Sequence, residues 1–293
     1  MLPLAGAALI TEEMYRYIFC TPSKSLFTLF AEKKGHENQY YEYKKEARAH
    51  LLCQEHREYS IISERGEKLK GFYYPNGSEG KKIAFIIHGY RSENSDTAGP
   101  FYEYYKSRGI DIFACDHTAH GQSEGHFVGY DYFESKDCLK WIDFLKENFG
   151  DDIEIILHGF SMGGATVLQM SSHCPENVKF IIDDSGYSSA MKSLKSNIGP
   201  MSQPMRFIHK LLAGYDLKDA DVAESLSKSE LPILFVHGYD DKLVPFKTGQ
   251  MLYNSYQGPK DCLFVPDTRH IEAIYTFPEE YAEKTDSFIE KYM

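Results

Sequence analysis

The sequence predicts an α/β protein. It should hold a mostly parallel sheet flanked by helices, with a small helical cap and an extra N-terminal helical segment. Three observations carry this. Short apolar runs rich in Ile, Val and Phe recur along the chain: KIAFIIHG (82–89), IDIFACD (110–116), IEIILHG (153–159), VKFIIDD (178–184), LPILFVHG (231–238) and DCLFVPD (261–267). Helix-length segments separate them, and strands alternating with helices build parallel sheets buried on both faces. Polar, titratable residues follow one run after another, at the edge where open parallel sheets bind ligands.

The elements follow in order. The opening MLPLAGAALI is apolar but lacks a basic leader, and Glu12 and Glu13 follow at once. So short a run cannot span a bilayer. The expectation is a cytoplasmic protein without a membrane span, N-terminal membrane association being the minor alternative. Residues 11–57, where Tyr40, Tyr41 and Tyr43 stand among Lys44, Lys45 and Glu46, read as amphipathic helices. Residues 1–57 are thus expected to form a helical extension, a helix pair packed on a core domain of residues 58–293. A partner-binding arm is the alternative.

REYSIISERGEKLKGFYYP reads as two strands joined at Arg65-Gly66, with Pro75-Asn76-Gly77 ending the second. Tyr132–Phe149 reads as a helix with Phe133, Leu139, Trp141, Ile142 and Leu145 inward, and Pro278–Tyr292 as the last helix. Between two core runs, residues 186–230 carry two expected helices, Met191–Ile198 and Pro204–Ala213, split by Gly199-Pro200. An insert at that edge would cap the ligand crevice.

Over 293 residues the net charge is −11, which argues against nucleic acid or an anionic membrane as main partner. The 6 cysteines form no CxxC pair and read as free thiols in a reducing compartment. No phosphate loop, haem signal or metal-ligand spacing calls for a cofactor or metal. The sequence carries no signal for oligomeric state.

The chemistry centres on HGFSMGG (158–164). Ser161 stands at a strand-to-helix junction, and Gly159 and Gly163 suit a turn too tight for side chains. Its hydroxyl would project beside a helix N-terminus, which favours developing negative charge. A serine needs a base, and His270, after the last strand, fits better than His120, His126 or His173. A carboxylate must orient that base. HGYDDKLVP offers Asp240 and Asp241, which spacing alone does not separate, whereas Asp183 and Asp184 read as capping or turn residues. An oxyanion hole needs backbone donors, here expected from the Met162 N–H and the Tyr90 N–H.

With these residues assembled, the chain resembles the α/β-hydrolase superfamily over residues 58–293. The motifs are His88-Gly89-Tyr90, Asp116 with His120-Gly121-Gln122-Ser123-Glu124-Gly125, the elbow Gly159–Gly163, His237–Pro245 and His270, in the order Ser…Asp…His. The nearest branch includes feruloyl-esterase-like and serine-aminopeptidase-like bacterial hydrolases. The resemblance places the acid on Asp241. The oxyanion segment is His-Gly-Tyr-Arg rather than the HGGG of many lipases and esterases. A serine nucleophile separates the chain from dehalogenase and epoxide-hydrolase relatives, which use aspartate there.

The implied activity is that of a serine hydrolase, a carboxylesterase working through an acyl-enzyme. Its partner would be a small ester with short acyl or aryl groups, since a small cap leaves a restricted apolar pocket. The alternative on the same triad is a peptidase or aminopeptidase. That reading needs a carboxylate for the substrate's amine, and Asp216, Asp219, Asp221 and Glu224 are the candidates. The complete triad weighs against a non-enzymatic binding module.

Overall fold

Helices α1 (Leu2–Phe19) and α2 (Gln39–Leu52) precede the sheet in the computed structural model, which describes residues 2–20, 39–76 and 80–293. Gly77, expected to help end the second strand, lies outside the described residues. The sheet begins with β1 (Arg57–Ile62), β2 (Lys68–Tyr74) and β3 (Lys82–Ile87). Short helices α3 (Asn94–Ala98) and α4 (Tyr102–Lys106) lead to β4 (Asp111–Asp116), then α5 (Tyr132–Phe149) to β5 (Glu154–Phe160). Next are α6 (Met162–Met170), β6 (Val178–Asp184) and the insert helices α7 (Ala190–Ile198), α8 (Ser202–Ala213) and α9 (Ala223–Lys228). The chain closes with β7 (Ile233–Gly238), α10 (Phe246–Ser255), β8 (Lys260–Val265), α11 (Ala273–Thr276) and α12 (Pro278–Tyr292).

These 8 strands form one sheet in the order β1-β2-β4-β3-β5-β6-β7-β8. β2 pairs antiparallel with β1 and β4, and all later pairings are parallel. The chain leaves β3 for β4 on one side and returns to β5 on the other. The C-terminal ends of β3 and β5 therefore flank a topological switch point, where such sheets open a crevice.

Strand periodicity divides the core into two apolar layers. Along β3, Ile83, Phe85 and Ile87 join one layer while Ala84 and Ile86 join the other, all at 1% exposure or less. The first layer takes Trp141, Ile142 and Leu145 of α5, and the second takes Phe101, Tyr105, Tyr281 and Phe288. Residues of β3, β4 and β5 bury both faces, which is why their runs are continuously apolar rather than alternating. The two N-terminal helices do not share a layer, contrary to the expected helix pair. Tyr15, Ile18 and Phe19 of α1 enter the first and Leu51 of α2 the second, each helix burying its own apolar residues on a different face. Among the described residues no helix is long and apolar enough to cross a membrane.

The interior also holds carboxyl groups. Glu134 Oε1 accepts the Gly129 N–H at 2.7 Å, its Oε2 has no partner among the described residues, and burial raises its pKa to about 7. Asp183 Oδ1 accepts the Gly186 N–H at 3.0 Å, and burial likewise raises this carboxyl to about 7. Asp183 thus holds a turn, as expected, but from a buried position. The unfolded chain releases these protons near pH 4, but the folded chain holds them to near pH 7. Stability therefore falls as pH rises between those values, by at most about 1.4 kcal/mol per pH unit for each group. Glu134→Gln is expected to flatten the decline in the urea midpoint between pH 5 and pH 7. An unchanged slope would refute the assignment.

Candidate active site

Ser161 closes β5 and opens α6 with φ 55° and ψ −112°, a conformation costly for any residue other than glycine. The crowding that sustains it is measurable. A Cβ on Gly159 would lie 2.2 Å from the Gly163 carbonyl oxygen, and one on Gly163 would lie 2.1 Å from the Ile87 carbonyl oxygen. Backbone fills both positions, so no side chain can replace the hydrogen. The Ser161 N–H donates to the Asp184 carbonyl at 2.9 Å, tying the turn to β6.

The loop after β3 lies against this turn. A Cβ on Gly89 would come within 3.1 Å of Ser161 Cβ. The Tyr90 and Met162 amides make no hydrogen bond to any other described residue. Two histidines hold the loop from behind, a role that sequence reasoning missed. The His88 Nδ1–H donates to the Gly89 carbonyl at 2.7 Å, and its Nε2 accepts the His117 N–H at 3.0 Å. His120 Nε2 accepts the Arg91 N–H at 3.1 Å, while its Nδ1–H donates to the Thr118 carbonyl at 3.0 Å. Both rings act as donor and acceptor at once, which only neutral imidazole can do. Burial lowers their pKa values accordingly, to about 4 for His88 and about 3 for His120. The HGY and HGQS segments were visible as motifs, but pairing their histidines to backbone atoms needs coordinates.

On the other side of the crevice, the His270 Nδ1–H donates to Asp241 Oδ2 at 2.6 Å. Asp241 Oδ1 accepts the Leu243 and Val244 N–H groups, each at 2.8 Å, and His237 Nε2 stands 3.3 Å from Oδ2. Asp240 is exposed, so geometry separates the two aspartates that spacing left open. Burial acts to raise the Asp241 carboxyl. The hydrogen bonds from His237 and His270 outweigh it and hold the carboxyl well below the usual range. His270 Nε2 is buried and has no partner among the described residues, so no hydrogen bond joins it to Ser161.

The base-bearing loop is gripped at Ile271, which has φ 53°. The Ile271 N–H donates to Ser185 Oγ at 3.3 Å, and its carbonyl accepts the Tyr40 hydroxyl of α2 at 2.6 Å. Ser185 donates to Asp184 Oδ1 at 2.8 Å, and the Tyr281 hydroxyl donates to Asp184 Oδ2 at 3.1 Å. Asp184 is thus a buried support under the loop, not the turn residue expected, and burial raises its carboxyl to about 6.

The other extension helix reaches the opposite loop. The Tyr90 hydroxyl donates to the Tyr17 and Ile18 carbonyls at 2.7 and 3.0 Å, and the Tyr130 hydroxyl to the Ile18 carbonyl at 2.8 Å. The Arg91 guanidinium lies 3.7 Å from the centre of the Tyr17 ring and bonds the Tyr17 carbonyl. These donors satisfy the carbonyls that the end of α1 leaves open, with a cation at its negative end. Tyr17 and Ile18, with Tyr90, Tyr130, Tyr187, Leu194 and Leu243, wall a cavity of about 310 Å³ onto which Ser161 and Met162 open.

The carboxylates considered for an amine lie elsewhere. Arg206 grips Asp216 with two hydrogen bonds and holds its carboxyl well below the usual range. Lys192 lies 3.8 Å from Asp221, and Lys228 2.6 Å from Glu224. Neither these nor Asp219 lines the Ser161 cavity. Among the described residues one group offers metal-ligand atoms: Cys115, His117 and Cys138, all buried, with those atoms within 4.8 Å of one another. Burial raises the Cys138 thiol and lowers the His117 imidazole, so both are neutral. A soft metal would have to displace the thiol proton.

A family model described as serine aminopeptidase, S33, matches residues 78–215. The chain is 26% identical over 239 residues to the protein YqkD of Bacillus subtilis, covering 78% of each chain. Among solved structures it is similar to an esterase of Pyrococcus furiosus, with a TM-score of 0.68, 22% identity, and coverage of 83% of this chain and 94% of that one. It is also similar to Est1E of Butyrivibrio proteoclasticus with ferulic acid bound, with a TM-score of 0.61, 19% identity, and coverage of 80% and 98%.

Proposed function

We propose that the chain, which has the fold of α/β hydrolases and is similar over residues 78–215 to a family of serine hydrolases, is itself a serine hydrolase cleaving small carboxylic esters. In this reading Ser161 Oγ attacks the ester carbonyl and its proton passes to His270 Nε2. The Met162 and Tyr90 N–H groups hold the oxyanion. The alcohol leaves with the proton from His270, and water then frees the acid from Ser161 by the same route in reverse. Asp241 keeps the proton of the resting imidazole on Nδ1, so that Nε2 is the free base.

The observation that carries the reading is Ser161 on its strained turn, open to a 310 Å³ cavity. That volume is at the small end for ligand sites, and its tyrosine and aliphatic walls suit short acyl or aryl groups. The test is labelling with a fluorophosphonate probe plus turnover of 4-nitrophenyl butyrate. Wild-type protein that does neither would sink the proposal. The aminopeptidase reading draws support from the description of the family model over residues 78–215. The carboxylates it needs do not line the cavity, so esters are favoured. A panel of aminoacyl 4-nitroanilides hydrolysed faster than the butyrate ester would reverse that order. We also read the protein as cytoplasmic, its 6 cysteines being free thiols.

The grip on Ile271 makes a separate expectation. Tyr40→Phe removes one hydroxyl and keeps the ring, freeing the peptide next to His270. The expected result is a kcat lowered about tenfold with KM within about twofold, since misplacing a base costs rate more than binding. Equal kcat in the two proteins would mean that Tyr40 only packs.

A further inference from the structure

The cavity that holds Ser161 continues into a second, of about 270 Å³, between the cap helix α7 and helix α10; Tyr187, Ser193, Leu243 and Val244 line both. The first two turns of both helices border this space. Neither N-terminus receives a side-chain cap, and neither helix has an acidic residue in its first turn. Each instead has a lysine there, Lys192 in α7 and Lys247 in α10, and both lysines line the cavity. A lysine at a helix N-terminus meets the positive end of the dipole, an unfavourable placement unless an anion balances both. Among the described residues no carboxylate lines the space, in a chain whose net charge is −11.

A second observation is independent of the helix ends. Ser188 and Ser189 line the same cavity at 5% and 3% exposure, and their hydroxyls have no hydrogen-bond partner among the described residues. With no hydrogen bond to another described residue, both hydroxyls are free to donate into the cavity that they line. Lys192 Nζ lies 3.8 Å from Asp221 Oδ2, but with side chains 65% and 35% exposed the pair is loose. Lys247 forms no ion pair among the described residues.

We propose that this second cavity is a subsite for an anionic group, carboxylate or phosphate, at the end of the ester remote from the bond that Ser161 attacks. The inference rests on the serine-hydrolase reading above. The unpaired serine hydroxyls would donate to the anion, and the two ammonium groups and two helix ends would balance its charge. The substrate would then be an ester with a short apolar middle and one charged end.

The test compares 4-nitrophenyl hexanoate with two analogues of similar length, the 4-nitrophenyl monoester of adipic acid and a 4-nitrophenyl ester ending in phosphate. Wild-type protein should favour at least one anionic ester by about tenfold in kcat/KM, and added salt should narrow the preference. Whichever analogue is favoured identifies the anion. Lys192→Gln/Lys247→Gln should erase the preference while changing hexanoate turnover less than about twofold. Equal preference in wild type and double variant, or a wild-type preference for hexanoate, overturns the subsite and leaves the hydrolase reading intact. If wild type neither turns over hexanoate nor takes the fluorophosphonate, that reading fails instead. Calorimetric titration with adipate and with inorganic phosphate then decides the subsite. Binding lost in the double variant supports it, and no binding to wild type overturns it.

Discussion

Ser161→Ala is expected to lower kcat on 4-nitrophenyl butyrate by ~10⁴-fold or more and to abolish fluorophosphonate labelling. Among the described residues no cysteine, lysine or carboxylate lines this cavity beside Ser161, and the other serine there, Ser193, lies within a helix rather than on a strained turn. Alanine keeps the Cβ, so the crowding by Gly89 and Gly163 is unchanged and the fold should persist. The strain at φ 55° remains whether or not the hydroxyl is present. The thermal midpoint should therefore stay near that of wild type, which separates a lost nucleophile from a lost structure. Residual ester cleavage within tenfold of wild type would mean that another residue attacks the substrate.

Asp241→Asn is expected to cost nearly as much, on the order of 10⁴-fold in kcat, with Asp240→Asn within about twofold of wild type. The reason is the single contact at 2.6 Å. A carboxylate can only accept, so it keeps the proton on Nδ1 and leaves Nε2 as base. An amide can turn its NH₂ toward Nδ1, which moves the proton to Nε2 and leaves no base facing the serine. The same substitution reports on stability. The folded carboxyl titrates well below its unfolded value, so it stabilises the fold above about pH 4 and that contribution is lost as pH falls further. The variant should lack that part of the acid transition. If Asp240→Asn proved the inactive variant, the assignment of the acid would be reversed.

Much of this architecture was legible before any coordinates. Ile83 to Ile87 and Ile155 to Leu157 are apolar without alternation because both sheet faces are covered, and such a run can be recognised from residue type alone. The elbow was legible for a related reason: glycines two places on either side of a serine, between strand and helix, have few other uses. Other features were not. Nothing in their spacing distinguishes Asp240 from Asp241, because one residue's shift in a loop exchanges a buried side chain for an exposed one. Asp183 and Asp184 resemble turn residues in sequence, yet both are enclosed, since β6 carries them into the layer under the crevice. The N-terminal helices carried no catalytic signal. Their contributions are the Tyr17 and Ile18 backbone carbonyls at one loop and a single tyrosine hydroxyl at the other.

By itself, then, the sequence determined the order of strands and helices, the two-sided burial of the sheet, the candidates Ser161 and His270, an aspartate at 240 or 241 by spacing, and Asp241 by resemblance. Those are local properties, set by side-chain volume, periodicity and the backbone freedom of glycine. Tertiary structure alone gave the physical reason that Asp241 rather than Asp240 meets His270, and decided which histidines stay neutral behind the Tyr90 loop. It also brought two helix N-termini to one cavity beside Ser161. Each of these depends on distances between segments far apart in the chain. Such distances are set by how the layers pack, and no spacing along the sequence encodes them.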